Sequence, residues 1–294
     1  MIERERLSEL NDVPEQPGDY VLYWMQNSQR AEFNPALEVA IGEANRLRLP
    51  VLVGFGLTAD YPEANARHYA FMLEGLRETG AALGRRRIAF VIRLGSPDEV
   101  ALRLARQAAL VVCDRGYLRV QRQWRARVAA EAGRRVLQVE GDVVVPVGLV
   151  STKPEVGART LRPKLLRMQD QFLWPLERQR LQRKADRIEL RSDVDLSDVP
   201  ATLQRLGVDH SVSLVENFRG GYKEAKRRLD KFVKERLQRY VAARAQPGEA
   251  EVSTLSPYLH FGQISPVEVA LATAERRSRQ RQHSLVSRRA DRPP

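Results

Sequence analysis

The chain has 294 residues and a net charge of +12 from 49 basic and 37 acidic side chains, long enough for two domains with a packed core. The charge favours an anionic partner, nucleic acid first, although arginine-rich solvated faces would give the same balance. A single cysteine, Cys113, excludes an internal disulfide and fits a reducing compartment. The start is charged and carries no signal peptide, and the longest apolar run, residues 143–150, is interrupted by Pro146 and falls far short of the roughly 20 residues that span a bilayer. These features describe a soluble, cytoplasmic protein.

From residue 20 to 147, short apolar runs alternate with helical patterns. The runs at residues 20–24, 50–55, 88–92, 110–113 and 136–139 are rich in β-branched and aromatic residues and lack alternation with polar ones, as strands buried on both faces do. Helices are predicted between them at residues 34–47, 64–83, 97–107 and 117–133, with Ser96-Pro97-Asp98-Glu99 reading as a capping box. The expectation is an α/β fold, a Rossmann-like five-stranded parallel sheet over residues 1–150. Cys113 reads as a small buried hydrophobe of that sheet.

Beyond residue 150 the strand signal stops. Residues 151–198 read as a linker with first helices, whose charged part, residues 177–198, is expected as a solvated helix and an exposed connector. Residues 199–272 form a helical region. Its clearest helix, residues 222–244, has Ala225, Leu229, Phe232, Val233, Leu237, Tyr240 and Val241 on one stripe and a basic opposite face, which suits either solvent or phosphates. Residues 273–294 hold seven arginines against Glu275 and Asp291, so the last 22 residues contribute +5 of the +12. They have almost nothing to bury and are expected to be disordered.

Glycine-rich nucleotide motifs, HExxH and CxxC are absent, and four scattered histidines, His68, His210, His260 and His283, show no metal spacing. The one hydroxyl-rich segment is Ser253-Thr254-Leu255-Ser256-Pro257, where a helix start and three hydroxyls would suit a phosphate. Ser265-Pro266-Val267-Glu268 reads as a second capping box. On residue types alone, both are equally two capped helices.

Read in full, Leu255-Ser256-Pro257-Tyr258-Leu259-His260-Phe261-Gly262-Gln263-Ile264-Ser265 resembles the flavin-binding stretch of class II cyclobutane pyrimidine dimer photolyases. Three N-terminal segments are similar to the family in the same order: Val21 to Asn34 (VLYWMQNSQRAEFN), Tyr61 to Tyr69 (YPEANARHY) and Asp114 to Arg119 (DRGYLR). Ala158 to Lys164 (ARTLRPK) is another. The resemblance implies an α/β antenna domain followed by an all-helical FAD domain, incomplete here, and light-driven splitting of dimers flipped from UV-damaged DNA. The cofactor would carry the chemistry. It also implies an antenna chromophore of undetermined identity.

By position, the resemblance assigns FAD contacts to Tyr240 and to Val252, Ser253, Thr254, Leu255 and Ser256, with Val252 standing where the family more often has a polar residue. Arg244 would face the same cavity. Trp24, Trp124 and Trp174 match none of the family's electron-relay positions. The similarity fades near Ala272, so the expectation is a C-terminally truncated photolyase impaired in repair, monomeric if intact and prone to associate through its incomplete helical domain. The alternatives are a non-catalytic nucleic-acid-binding α/β module and a cryptochrome-like light sensor.

Overall fold

The computed structural model describes residues 2–185, 188–243, 246 and 252–276. Six strands form one sheet: β1 (Leu7–Glu9), β2 (Tyr20–Trp24), β3 (Val51–Leu57), β4 (Ala89–Leu94), β5 (Ala108–Asp114) and β6 (Arg135–Val139), in the order β1-β6-β5-β2-β3-β4. The five predicted strands are all parallel. The sixth, β1, corrects the five-stranded expectation: three residues pair antiparallel with β6 at the sheet edge. Its Leu-Ser-Glu sequence is too short and polar to announce a strand.

Four helices, α1 (Pro35–Leu47), α2 (Ala66–Arg85), α3 (Pro97–Ala105) and α4 (Arg119–Glu131), connect the parallel strands. Alternate strand residues point to opposite faces. Val21, Tyr23, Val51 and Val53 pack under α1 and α2, whereas Tyr20, Leu22, Trp24 and Leu52 pack under α3 and α4. Cys113 is fully buried there, and burial pushes its thiol up to about 12, as an inert core residue. Asn34 caps α1 by accepting from the Leu37 N–H at 3.0 Å. The capping box expected at Ser96 does not form, because the Ser96 hydroxyl donates to Asp98 instead, which also takes Arg127.

The segment 177–198 differs most from expectation. Rather than forming a solvated helix, residues 179–183 lie against α1, bonded to Glu38, Asn45 and Arg48, and residues 188–196 follow the outer edge of β4, where Asp193 N–H donates to the Ile92 carbonyl at 2.8 Å and Asp193 Oδ2 accepts from the Leu94 N–H at 2.9 Å. Ile188 and Leu190 pack on one face of the sheet, Val194 and Leu196 on the other, so the connector wraps the edge and covers its open hydrogen-bonding groups.

The helical part comprises α5 (Val147–Val150), α6 (Ala158–Met168), α7 (Val199–Leu206), α8 (Tyr222–Lys231), α9 (Tyr240–Ala243), α10 (Ser256–His260) and α11 (266–276). The predicted continuous helix over 222–244 is broken by a π-turn at Phe232–Arg236 and a turn at 237–239, which bring the Tyr240 ring edge-on to Phe232 at 5.3 Å. Ala225, Leu229, Leu255, Tyr258 and Ile264 form a second small core against Phe71 of α2. Residues 273–276, expected in the disordered tail, continue α11; Arg244 and residues 277–294 lie outside the described residues. Among the described residues no helix is long and apolar enough to cross a membrane.

Candidate functional site

The sheet order reverses between β2 and β5, and the loops leaving their C-terminal ends frame the crevice where open α/β sheets bind ligands. The floor is built by Asp114 at the end of β5. Its Oδ2 accepts from the N–H groups of Gln26, Asn27 and Ser28 at 2.8, 2.9 and 3.1 Å, and its Oδ1 from the Tyr23 hydroxyl at 2.8 Å. Burial and the neighbouring Asp142 raise this carboxyl above its ordinary range, while the backbone donors oppose the rise. These amides are the donors a nucleotide phosphate would need. Here an internal carboxylate holds them, so the crevice favours an uncharged ligand portion.

Above this floor lies a cavity of about 580 Å³, within the size range of cofactor pockets. Its walls are largely apolar and aromatic: Met25, Phe55, Met72 and Phe261, with Tyr61 and Trp124 facing each other at 6.2 Å and 57°. Both amide atoms of Gln26 and the Oε1 of Gln29 are buried without a hydrogen-bond partner among the described residues, and both residues line the cavity. Orphaned polar groups in an aromatic-walled space are what an edge-hydrogen-bonded, flat ring system would satisfy. At the rim Tyr117 donates to Glu140, and burial followed by that carboxylate raises its phenol, so it stays protonated.

The hydroxyl-rich stretch lies on the other side of α10. Ser256 is the first helical residue, one position later than an N-cap. Thr254 adopts φ +55, a conformation that a β-branched residue takes only under constraint. The Arg228 guanidinium donates to Thr254 Oγ1 at 3.1 Å, and Arg236 donates to the Val252 carbonyl at 3.4 Å. Leu255 is buried in the small core, while Val252 and Ser256 are exposed and Ser253 and Thr254 half-buried. Arg228 is itself paired with Glu224 at 2.8 Å and the Thr254 hydroxyl donates to the Ser253 carbonyl at 2.7 Å, so Arg236 and the hydroxyls of Ser253 and Ser256 are the groups of this stretch that could meet a diphosphate. Tyr240, in contrast, packs its ring on Phe232.

The two sites share a wall. Leu259, His260 and Phe261 line the cavity, and the next residue, Gly262, has φ +63 and sits so close to the loop after β2 that a Cβ would lie 1.7 Å from the Asn27 carbonyl. Arg30, with no exposed surface, donates to the Gly262 carbonyl at 2.8 Å and to Asp142 at 2.7 Å. Gln263 donates to the Phe71 carbonyl at 3.1 Å and accepts from the Gly221 N–H at 2.6 Å. The second half of the motif read as flavin-binding is therefore a joint to the α/β layer. At Ser265 the expected cap forms, with Oγ accepting from the Val267 N–H at 3.2 Å, but Glu268 leaves the box to take the Tyr222 hydroxyl.

The cavity residues Gln26, Gln29, Tyr61, His68, Tyr117, Gln121 and Trp124 were not singled out by residue type. Their signal lay in position: six of them fall within or just after the segments at 21–34, 61–69 and 114–119, each following a strand. These segments, separated in sequence, converge on one crevice.

The sequence pattern described as DNA photolyase matches residues 21–186. The chain is 41% identical over 276 residues to a deoxyribodipyrimidine photo-lyase of Methanothermobacter thermautotrophicus, covering 94% of this chain and 61% of that protein. It is 32% identical to one of Potorous tridactylus, covering 88% and 48%. It thus spans about half to three fifths of the length of these relatives. The crystal structure of a class III photolyase from Agrobacterium tumefaciens superposes with a TM-score of 0.70 at 20% identity, over 94% of this chain and 59% of that one, a likeness of fold. With more than half of its residues inside the matched pattern, the chain belongs to the DNA photolyase family.

Proposed function

We propose that the chain is part of a light-driven DNA-repair enzyme of class II type that splits cyclobutane pyrimidine dimers in UV-damaged DNA. The observation that carries the reading is the strained stretch Val252–Ser256 clasped by Arg228 and Arg236, in a family whose relatives are named deoxyribodipyrimidine photo-lyases. FAD, when bound, supplies the light-driven electron transfer. The chain's own residues would hold it: Ser253 and Ser256 would offer hydroxyls to the diphosphate, Arg236 would face its charge, Thr254 would keep the Glu224-paired Arg228 in place beside them, and Tyr240 would contact the flavin as the resemblance implies. The reading places the protein in the cytoplasm.

The aromatic cavity would take the antenna chromophore, with Trp124 and Tyr61 among its walls and the amide atoms of Gln26 and Gln29 as its hydrogen-bond partners. Its phosphate-free floor favours an uncharged ring system. Because the chain spans only part of its relatives' length, we propose that these 294 residues alone do not complete repair.

The test is FAD binding to the purified chain, with and without Ser253→Ala, followed by repair of a thymine-dimer oligonucleotide under blue light. The reading expects FAD binding weakened about tenfold by the substitution, one lost hydrogen bond to a charged group. Equal binding by the variant would remove the diphosphate site, and dimer repair by this chain would overturn the proposed incapacity. Salt-steep DNA binding that ignores damage, without FAD, would favour the non-catalytic module.

A further inference from the structure

The aromatic cavity and the hydroxyl-rich stretch are not independent surfaces. The short helix α10 begins at Ser256, in the hydroxyl stretch, and ends at His260, in the cavity wall. At 1.5 Å per residue its two ends are only about 6 Å apart. The helix is held from both sides. Tyr258 is fully buried, its ring 5.0 Å from Phe71, its hydroxyl donating to the Arg219 carbonyl at 2.8 Å. Phe261 packs on the same Phe71 at 5.4 Å. Arg228, which holds Thr254, lies 5.7 Å from the Tyr258 ring. From Leu259, which follows Tyr258 in the helix, two contacts lead to Thr254, Tyr258 to Arg228 and Arg228 to Thr254; from Phe261 the path runs through Phe71 and Tyr258 first.

The other anchor is the loop after β2. Its residues Gln26, Asn27 and Gln29 line the cavity, and Asn27 and Arg30 seat Gly262. A ligand that engages the orphaned amide atoms of Gln26 and Gln29 would add a contact to a loop that Asp114 and Arg30 already hold against Gly262.

We propose that α10 and the turn after it couple the two sites, so that filling the cavity tightens binding at Val252–Ser256, with Arg30 as the positioning residue that transmits the effect. The proposal rests on the reading of both places as ligand sites. Arg30 suits the role because its guanidinium reaches Asp142 and the Gly262 carbonyl through Nη1, the Gly141 carbonyl through Nη2 at 3.2 Å and the Phe33 carbonyl through Nε at 3.2 Å. A lysine would keep the charge beside Asp142 but could not reproduce the fork. Coupling between two sites is reciprocal, so each ligand must change the other's affinity by the same factor.

The experiment uses two probes of different chemistry: lumichrome, a flat tricycle without phosphate, for the cavity, and ADP, a diphosphate without the flavin ring, for the stretch, with loss of lumichrome binding in Gln26→Met and of ADP binding in Ser253→Ala assigning each probe to its site. ADP is titrated into the chain with and without saturating lumichrome, and the reverse, in wild type, Arg30→Lys and Phe261→Leu. The expected result is an affinity gain of about fivefold or more in both directions in wild type, falling towards one in both variants while each probe still binds. A residue with only a structural role would weaken both ligands and leave that factor unchanged. If both probes bind wild type and the factor is one, the coupling is overturned with the site assignments intact. If either probe fails to bind, the site assignment falls and the coupling falls with it.

Discussion

Arg30 donates through Nη1 both to Asp142 Oδ1 at 2.7 Å and to the Gly262 carbonyl at 2.8 Å, placing one fully buried charge between the sheet layer and the helical layer. A guanidinium in this position is stabilised only while every acceptor stays in place, since breaking a buried pair strands a charge. The seat of Gly262 is consequently the least tolerant point of the joint.

A matched pair of substitutions isolates that seat. Gly207 and Gly262 both have φ +63, but an added Cβ meets nothing within 4 Å at Gly207 and lies 1.7 Å from the Asn27 carbonyl at Gly262. Gly207→Ala should cost about 1 kcal/mol, the left-handed backbone alone. Gly262→Ala should cost at least about 2 kcal/mol more, because backbone has to move on one side of the joint. Urea unfolding midpoints measure both, and equal losses would show that the joint yields freely.

Gln26 offers the opposite kind of change. Both of its amide atoms are buried and without a partner among the described residues, a state that costs about 1–3 kcal/mol for each unsatisfied group. Gln26→Met should raise the stability of the free protein by about 1 kcal/mol while weakening lumichrome binding about tenfold. Stability from thermal unfolding and affinity from fluorescence titration check the two halves, and a variant that is both less stable and equally tight would refute the assigned role.

How far the sequence reaches is visible in these same residues. The parallel strands were legible because double-sided burial leaves near-continuous apolar runs such as Val21-Leu22-Tyr23, and α1 because Asn34-Pro35 marks a helix start. The stretch 252–256 was legible as a motif. Its strain at Thr254 was not, since a positive φ on threonine follows from the tertiary clasp by Arg228 and has no local signature. The cavity escaped for a similar reason: Gln26, Tyr61 and Trp124 are distant in sequence and meet only because the sheet order reverses between β2 and β5. The connector misled because its arginines and aspartates resemble a solvated face, although Asp193 pairs with the edge of β4.

That pairing makes the connector sensitive to acid. Burial works against the Asp193 carboxylate, yet the Leu94 N–H and Arg93, 2.7 Å away, hold its pKa below the ordinary value. A lowered folded pKa means that its contribution is fully present above the unfolded value near about 4 and is lost as pH falls through the folded value. Amide protection at residues 188–196, corrected for intrinsic exchange, should persist at neutral pH and be lost as pH falls below the unfolded carboxylate value of about 4, before the central strands open. Asp193→Asn should show the same loss at pH 7. Protection that is indifferent to both would assign the docking to Val194 and its apolar neighbours alone.

Thr254 tests whether strain is kept for binding. Replacing it with glycine removes a left-handed β-branched residue, a relief of about 1–2 kcal/mol, and deletes the Oγ1 contacts to Arg228 at 3.1 Å and to the Ser253 carbonyl at 2.7 Å, a loss of similar size. Thr254→Gly should therefore shift stability by less than about 1 kcal/mol. Its ADP affinity should nevertheless fall about tenfold, because the hydroxyl and the Arg228 position it fixes are both gone. Thr254→Asn, which tolerates the left-handed conformation and keeps a polar group, should retain more of the affinity. Isothermal titration of the three proteins decides the matter: unchanged ADP affinity in Thr254→Gly would mean that the strained threonine serves the fold of α10 and has no part in holding a diphosphate.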